Sequence, residues 1–336
     1  MVEIAIVGAT GAVGQEIIKL LEKRNFPLRS LRCFASPRSQ GMHVTFRGKK
    51  IPLEILKPGC FKGIGIAFFC AGKKISLEYA PQAKEAGAFI VDSSSGFRED
   101  PSVPLVIPEI NPHAFEKHQG IVASPNCTTS IMLMALAPLH RKVPIKRVVA
   151  ATYQAASGAG ARAMEELEDE TRAVLEGKSF TRTVMPFPYA FNLFPHNSPL
   201  QENGYVDEEM KMVRETQKIL EDHTIRVTAT CVRVPVLRAH SIALNVEFHH
   251  PLSKEEAYAI LEKSPGIRIL ENRETNRFPM PIDATGQDLT FCGRIREDLT
   301  QPNTLELWVV GDQLLKGAAL NAVQLAELHM HGLVAK

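Results

Sequence analysis

The chain opens on a short apolar run, Ile4-Ala5-Ile6-Val7, with no polar alternation. Such a run suits a strand covered on both faces. It meets Gly8-Ala9-Thr10-Gly11-Ala12-Val13-Gly14, and then Val13, Ile17, Ile18 and Leu21 recur at the spacing of one helix face. A second strand, Leu31–Ala35, ends in Ser36-Pro37-Arg38-Ser39. The run 65–69 leads through Cys70-Ala71-Gly72 into a helix from about 75 to 86. Phe89–Asp92 reads as another buried strand and ends in the polar loop 93–98. A strand-like Leu105-Val106-Ile107, a helix near 112–117 and a strand at 119–123 follow. Strands that alternate with helices in this way predict a parallel sheet.

The pattern changes after Ser124-Pro125-Asn126-Cys127-Thr128-Thr129. A helix starts at or next to Cys127, and residues 145–153 form a β-rich run. The small-residue loop 155–160 precedes a helix from Ala161 to about Leu175. Residues 180–204, rich in Pro, Phe and Asn, read as a structured loop. Asp207 caps a helix that carries Glu208 and Lys211 on one face. Strands are expected at 225–236 and 242–248, with Leu237–Ser241 as the turn between them. Further strands near 267–270, 289–296 and 304–310 predict a second, mixed sheet. A long apolar helix from Gln313 to about His331 is expected to return to the first domain.

Composition narrows the classes. The chain has 336 residues, 45% hydrophobic and 23% charged, with a formal net charge of +2. That length suits two domains. The charge balance gives no general attraction to nucleic acid or to an anionic membrane. No apolar run reaches the eighteen or so residues of a spanning helix, and the N-terminus lacks the pattern of a secretory signal. The six cysteines are scattered, with no C-x-x-C pair, so neither a zinc site nor a disulfide framework is suggested. A cytoplasmic setting is the default expectation.

The candidate chemistry lies at the ends of these elements. Strand, glycine turn and helix at Gly8, Thr10, Gly11, Ala12 and Val13 form the context of a dinucleotide fingerprint. Where NAD-binding folds place an acid for the ribose hydroxyls, this chain has Ser36, Arg38 and Ser39. Two hydroxyls and a guanidinium suit a 2′-phosphate, so NADP is expected over NAD. Ala71 and Gly72 permit close cofactor approach at the end of another strand. Cys127 falls at a helix N-terminus, where unpaired N–H groups and the helix dipole favour a nucleophilic thiolate. Asn126 and the neighbouring N–H groups suit an oxyanion. Arg98, in its polar loop, suits an anionic substrate group, and His240 is a candidate acid/base.

These motifs, in this order and spacing over essentially the whole chain, resemble the NADP-dependent aspartate-β-semialdehyde dehydrogenases of bacteria. They continue through Tyr153–Gly160, Glu208-Glu209-Met210-Lys211, Arg233-Val234-Pro235-Val236, His240-Ser241 and Gly317–Gln324. The resemblance implies Cys127 as nucleophile, His240 as general acid/base and Gln154 as the group that orients the substrate. It implies Arg233 and Glu208 for the substrate carboxylate and amine, and Arg98 and Lys211 for phosphate, with Asn126 nearby. Ser157, Gly158 and Asn321 are implied in cofactor binding. The implied fold is a Rossmann-like domain, 1–126 completed by 313–336, with an α+β catalytic and dimerisation domain at 127–312 that makes a homodimer. The implied reaction interconverts L-4-aspartyl phosphate plus NADPH with L-aspartate 4-semialdehyde, phosphate and NADP. One departure is Cys70-Ala71-Gly72-Lys73-Lys74, where many relatives carry serine and further glycine or serine; the two lysines either touch phosphates or lie in solvent. An N-acetylglutamyl-phosphate reductase would have glycine in place of Asn126 and no use for Glu208.

Overall fold

A computed structural model describes residues 1–334. Residues 335 and 336, the end of the 313–336 segment, lie outside the described residues. The chain divides into two compact units. One holds Met1–Asn126 and the chain from Ala318 onward, and the other holds Cys127–Gly317.

The first unit contains β1 (Val2–Val7), α1 (Ala12–Lys23), β2 (Leu28–Ala35), β3 (His43–Phe46) and β4 (Lys49–Ile55). These are followed by β5 (Ile66–Phe69), α2 (Lys73–Glu85), β6 (Phe89–Asp92), α3 (Pro112–Phe115) and β7 (Ile121–Ala123). Its 7-stranded sheet runs in the order β3-β4-β2-β1-β5-β6-β7. All neighbours are parallel except the β3–β4 hairpin. That hairpin turns at Arg47 (φ 48) and Gly48 (φ 73), both left-handed as a two-residue hairpin loop requires. Strand β3 alternates, with Val44 and Phe46 buried, whereas β4 opens on Lys49-Lys50 and has no fully buried residue.

Two expectations in this unit need correction. Leu105–Ile107 is not a strand. Only a single bridge joins Leu105 to Ala123. The Asn111 side chain takes the place of a sheet partner, accepting from the Ile107 N–H (2.9 Å) and donating to the Leu105 carbonyl (2.9 Å). The terminal helix, α9, spans Leu320–Val334 rather than starting at Gln313, and a π-turn at Leu315–Ala319 precedes it. The buried Asp312 carboxylate accepts from the Leu314 N–H (2.9 Å) and so caps this entry. Helix α9 packs on α1 and β6. Arg24 clamps Glu327 with two 2.7 Å bonds, and His329 stacks on Phe89 at 3.9 Å.

The second unit contains α4 (Cys127–Lys142), β8 (Ile145–Gln154), α5 (Ala161–Leu175), β9 (Phe194–Pro195), α6 (Asp207–Leu220) and β10 (Arg226–Arg233). Then come β11 (His240–Phe248), α7 (Lys254–Glu262), β12 (Ile267–Ile269), α8 (Pro281–Ala284), β13 (Thr290–Glu297) and β14 (Thr304–Gly311). The 7-stranded mixed sheet has the order β12-β13-β14-β11-β8-β10-β9. Helix α4 is apolar on nearly all sides and buried from Thr128 through Ala137, as a helix covered all round should be. The loop after α5 is built on two buried carboxylates. Glu166 accepts from the N–H groups of Thr183, Val184 and Met185, and Glu170 from those of Tyr189 and Ala190. His240 is the first residue of β11, not part of a turn, and β10 stops at Arg233, short of the expected 236.

Candidate active site

In the first unit the glycine turn opens onto a cleft of about 510 Å³. Its walls include Gly8, Thr10, Gly11, Ser36, Pro37, Ala71 and Tyr79. Gly8 (φ 96) passes so close to the next loop that a Cβ would stand 2.9 Å from the Ala71 nitrogen. A Cβ on Gly14 would stand 2.3 Å from the Gly8 carbonyl oxygen, so helix α1 can approach strand β1 only with glycine there. The G-x-x-G-x-x-G spacing thus follows from packing as well as from ligand access. Ala12, Val13, Arg38, Ser39 and Gly72 flank the walls without lining them. Arg38 and Ser39 lie in an exposed or half-exposed single turn, Pro37–Ser39. Lys73 and Lys74 are exposed in the first turn of α2. Cys70 is no reactive thiol: burial pushes it up to about 12, and its Sγ donates to the Val7 carbonyl.

Arg98 is buried rather than solvated. Its Nε donates to the Ser124 carbonyl and one terminal nitrogen to the Ser93 carbonyl, both at 3.0 Å. These bonds fix the guanidinium beside the segment that carries Asn126. Asn321 is fully buried, and its amide donates to the Val106 carbonyl (2.9 Å) and Ser124 Oγ (3.0 Å). It does not line the dinucleotide cleft. Ser157 and Gly158 belong to the second unit.

The second unit assembles the remaining residues by strand register. Ser241 on β11 pairs with Tyr153 on β8, which sets His240 opposite Gln154. Gln154 pairs with Arg233 on β10, and Arg233 with Phe194 on β9. His240, Gln154 and Arg233 therefore form one row on one face of adjacent strands, since directly paired residues share a face. Helix α4 lies over that face. The Gln154 amide donates to Thr128 Oγ1 (3.0 Å), next to Cys127, and to Glu208 Oε1 (3.1 Å) on α6. Lys211 donates to the other Glu208 oxygen at 3.0 Å. Glu208 and Lys211 are thus not a surface pair: Glu208 is 5% exposed.

Cys127 is the first residue of α4. The first turn of that helix holds no acid, and its last holds His140, Arg141 and Lys142. Both features leave the positive end of the helix facing the thiol. Two members of the strand row are under-satisfied. His240 Nε2 and Arg233 Nε and Nη1 are buried without hydrogen-bond partners among the described residues. Buried polar atoms are seldom left so; a ligand, an ion or water ordinarily completes them. His240 is fully buried, and burial, reinforced by Arg233, pushes its pKa down to about 3. Its Nδ1 accepts from the Ala155 N–H at 3.0 Å. The neutral ring therefore carries its proton on Nε2, the unpartnered atom.

Sequence reading missed the supports of this site. Ala239, just before His240, sits at φ 73, a conformation that residues other than glycine seldom adopt. Gln313 accepts from its N–H (2.9 Å) and donates to Ser157 Oγ. Asp312 holds Arg238 at 2.7 Å. A Cβ on Gly158 would stand 3.0 Å from His240 Nε2 and 3.1 Å from Arg233 Nη1. His196 also went unnoticed. It is 9% exposed, and burial and the nearby Arg233 press its pKa down to about 4. The Asp-Gln pair before the last helix was the available signal for the supports; nothing in the sequence marked His196.

A glycine-turn cleft on a parallel sheet in the first unit, and in the second a helix-terminal thiol and a row of buried histidine, glutamine and arginine, are the parts of an oxidoreductase. Comparison with known proteins agrees. A family model described as the NAD binding domain of semialdehyde dehydrogenase matches residues 3–118. A second, described as the dimerisation domain of semialdehyde dehydrogenase, matches residues 136–316. The aspartate-semialdehyde dehydrogenase of Synechocystis is 55% identical over 97% of both chains. That of Aquifex aeolicus is 48% identical over 97% of both. The crystal structure of aspartate semialdehyde dehydrogenase II from Vibrio cholerae, complexed with ASA, superimposes with a TM-score of 0.95 at 41% identity, covering 98% of each chain. The chain belongs to the aspartate-semialdehyde dehydrogenase family. Among the described residues, no helix is long and apolar enough to cross a membrane.

Proposed function

We propose that this chain reduces L-4-aspartyl phosphate to L-aspartate 4-semialdehyde through a Cys127 thioester, with NADPH as hydride donor. The Cys127 thiolate attacks the acyl phosphate, and phosphate leaves. Bound nicotinamide supplies the hydride. The oxyanion on the resulting tetrahedral carbon accepts a hydrogen bond from His240 Nε2–H, and collapse to the aldehyde expels the thiolate. In this arrangement resting His240 is a neutral donor rather than a ready base. Gln154 orients the acyl group. Arg233 takes the α-carboxylate and Glu208 the α-ammonium. Arg98 and Lys211 are assigned to phosphate, with Asn126 nearby to steady the oxyanion on the acyl carbon. The observation that carries the reading is the row His240–Gln154–Arg233 with its unpartnered buried atoms.

Ser36 in the cleft wall and the adjoining Arg38 and Ser39, with no acid among them, support NADP over NAD. The product feeds lysine or diaminopimelate, threonine and methionine synthesis, in a cytoplasmic setting. The second unit forms a homodimer. The sheet face opposite the row carries Tyr153, 39% exposed and 5.6 Å from the ring of Trp308, and a second copy would cover it. The deciding assay is phosphate-dependent NADP reduction with L-aspartate 4-semialdehyde. Turnover by the wild type and none by Cys127→Ala is expected; an active alanine variant rejects the thioester.

A further inference from the structure

We propose that His196 is a further substrate-contact residue, donating from Nε2 to the α-carboxylate beside Arg233. The proposal rests on the reading above and extends it. Strand β9 pairs antiparallel with β10, Phe194 opposite Arg233. The His196 N–H continues that ladder, donating to the Cys231 carbonyl at 2.8 Å. His196 is therefore two residues along from the Arg233 pair and on the same sheet face as Arg233, Gln154 and His240. Its ring is in electrostatic reach of Arg233, Glu208 and Lys211, and it influences His240 in turn.

The hydrogen-bond pattern fixes what this ring offers. Nδ1 accepts from the Ser198 N–H at 3.2 Å, with Ser198 Oγ also at 3.1 Å. The neutral ring then carries its proton on Nε2. Among the described residues, Nε2 has no hydrogen-bond partner. A donor needs an acceptor. Of the two charged groups on the substrate's α-carbon, only the carboxylate accepts; the ammonium donates and already matches Glu208. A neutral donor also suits this position better than a second cation, which would repel Arg233 and Lys211. Ser198 Oγ in turn accepts the Glu208 N–H at 3.1 Å, so the ring is built into the same wall as the ammonium anchor.

Two variants separate contact from support. His196→Phe keeps the ring's bulk and removes the donor, whereas His196→Gln restores an amide donor. In the phosphate-dependent direction, His196→Phe should raise KM for L-aspartate 4-semialdehyde by about tenfold to hundredfold, the range for a lost hydrogen bond to a charged group. KM for phosphate and kcat should stay within about threefold, and His196→Gln should recover most of the loss. As competitive inhibitors, succinate semialdehyde, which keeps the carboxylate, should lose affinity for His196→Phe, and 3-aminopropanal, which lacks it, should not. Equal losses for both inhibitors, or a parallel rise in KM for phosphate, would place His196 behind Ser198 and Glu208 and overturn the contact. Absence of turnover by the wild type would instead reject the underlying reaction.

Discussion

A methyl group on Gly317 would stand 2.8 Å from the Cβ of Cys127 and 3.1 Å from its Cα. The π-turn at Leu315–Ala319 thus brings bare backbone against Cys127, the proposed nucleophile. Turns of this kind recur at functional sites. Gly317→Ala must push the Cys127 backbone aside, and displacements near 1 Å can cost about 100-fold in rate. We expect kcat to fall at least about tenfold. The rate of Cys127 alkylation by iodoacetamide should change with it. An alanine variant with wild-type kcat would show that the turn yields freely.

Gln313 holds both the strained Ala239 and Ser157. Gln313→Leu leaves the Ala239 N–H buried without an acceptor, a loss of about 1–3 kcal/mol. We expect a lowered thermal midpoint and a reduced kcat, because His240 is the next residue. A normal kcat in a destabilised variant would confine Gln313 to the fold.

Acid should weaken the fold through the two buried imidazoles. Their folded pKa values, about 3 for His240 and about 4 for His196, lie below the ordinary 6.5. As pH drops below 6.5 the unfolded chain takes up protons that the native rings refuse. Stability is therefore whole above that pH, declines toward the folded values and levels off beneath them. Each ring contributes at most about 1.4 kcal/mol per pH unit. Urea midpoints at pH 7, 6, 5 and 4 check this, with His196→Gln expected to lessen the decline. An unchanged slope in that variant would remove His196 from the account.

Cofactor choice is tested at Arg38. Arg38→Ala should raise KM for NADP far more than KM for NAD, because only NADP offers the 2′-phosphate. Equal changes would assign the selectivity elsewhere. At Gly14 the expected defect is in folding. A Cβ 2.3 Å from the Gly8 oxygen forces α1 off the sheet, and Gly14→Ala should lose about 3 kcal/mol or more by chemical denaturation.

Much of this was legible in the chain. The unbroken apolar run of β1, the glycine turn and the one-sided helix α1 required only local periodicity. The placement of Cys127 at a helix start required only the proline before it and the apolar run after it. The row of His240, Gln154 and Arg233 was not legible, because strand register is decided by pairings between segments far apart in sequence. The β3–β4 hairpin escaped because Arg47-Gly48 is not among the strongest turn signals. Leu105–Ile107 had the composition of a strand, but the Asn111 amide claimed the backbone groups that a sheet would have used. The last helix looked continuous from Gln313 because composition cannot show that Asp312 and Gln313 turn their side chains back to hold other segments.

Helix α9 belongs to the same unit as residues 1–126, yet the ribosome makes it only after Cys127–Gly317. The bonds Arg24–Glu327 and Asn321–Ser124 have no partner to close on while that middle stretch is being translated. Nascent dinucleotide-binding sheet must wait with the α1 and β6 surfaces bare, although amino-terminal domains commonly fold first during synthesis. The unit made first is thus the one completed last, and a chain truncated before Leu320 would leave an apolar seam open on it.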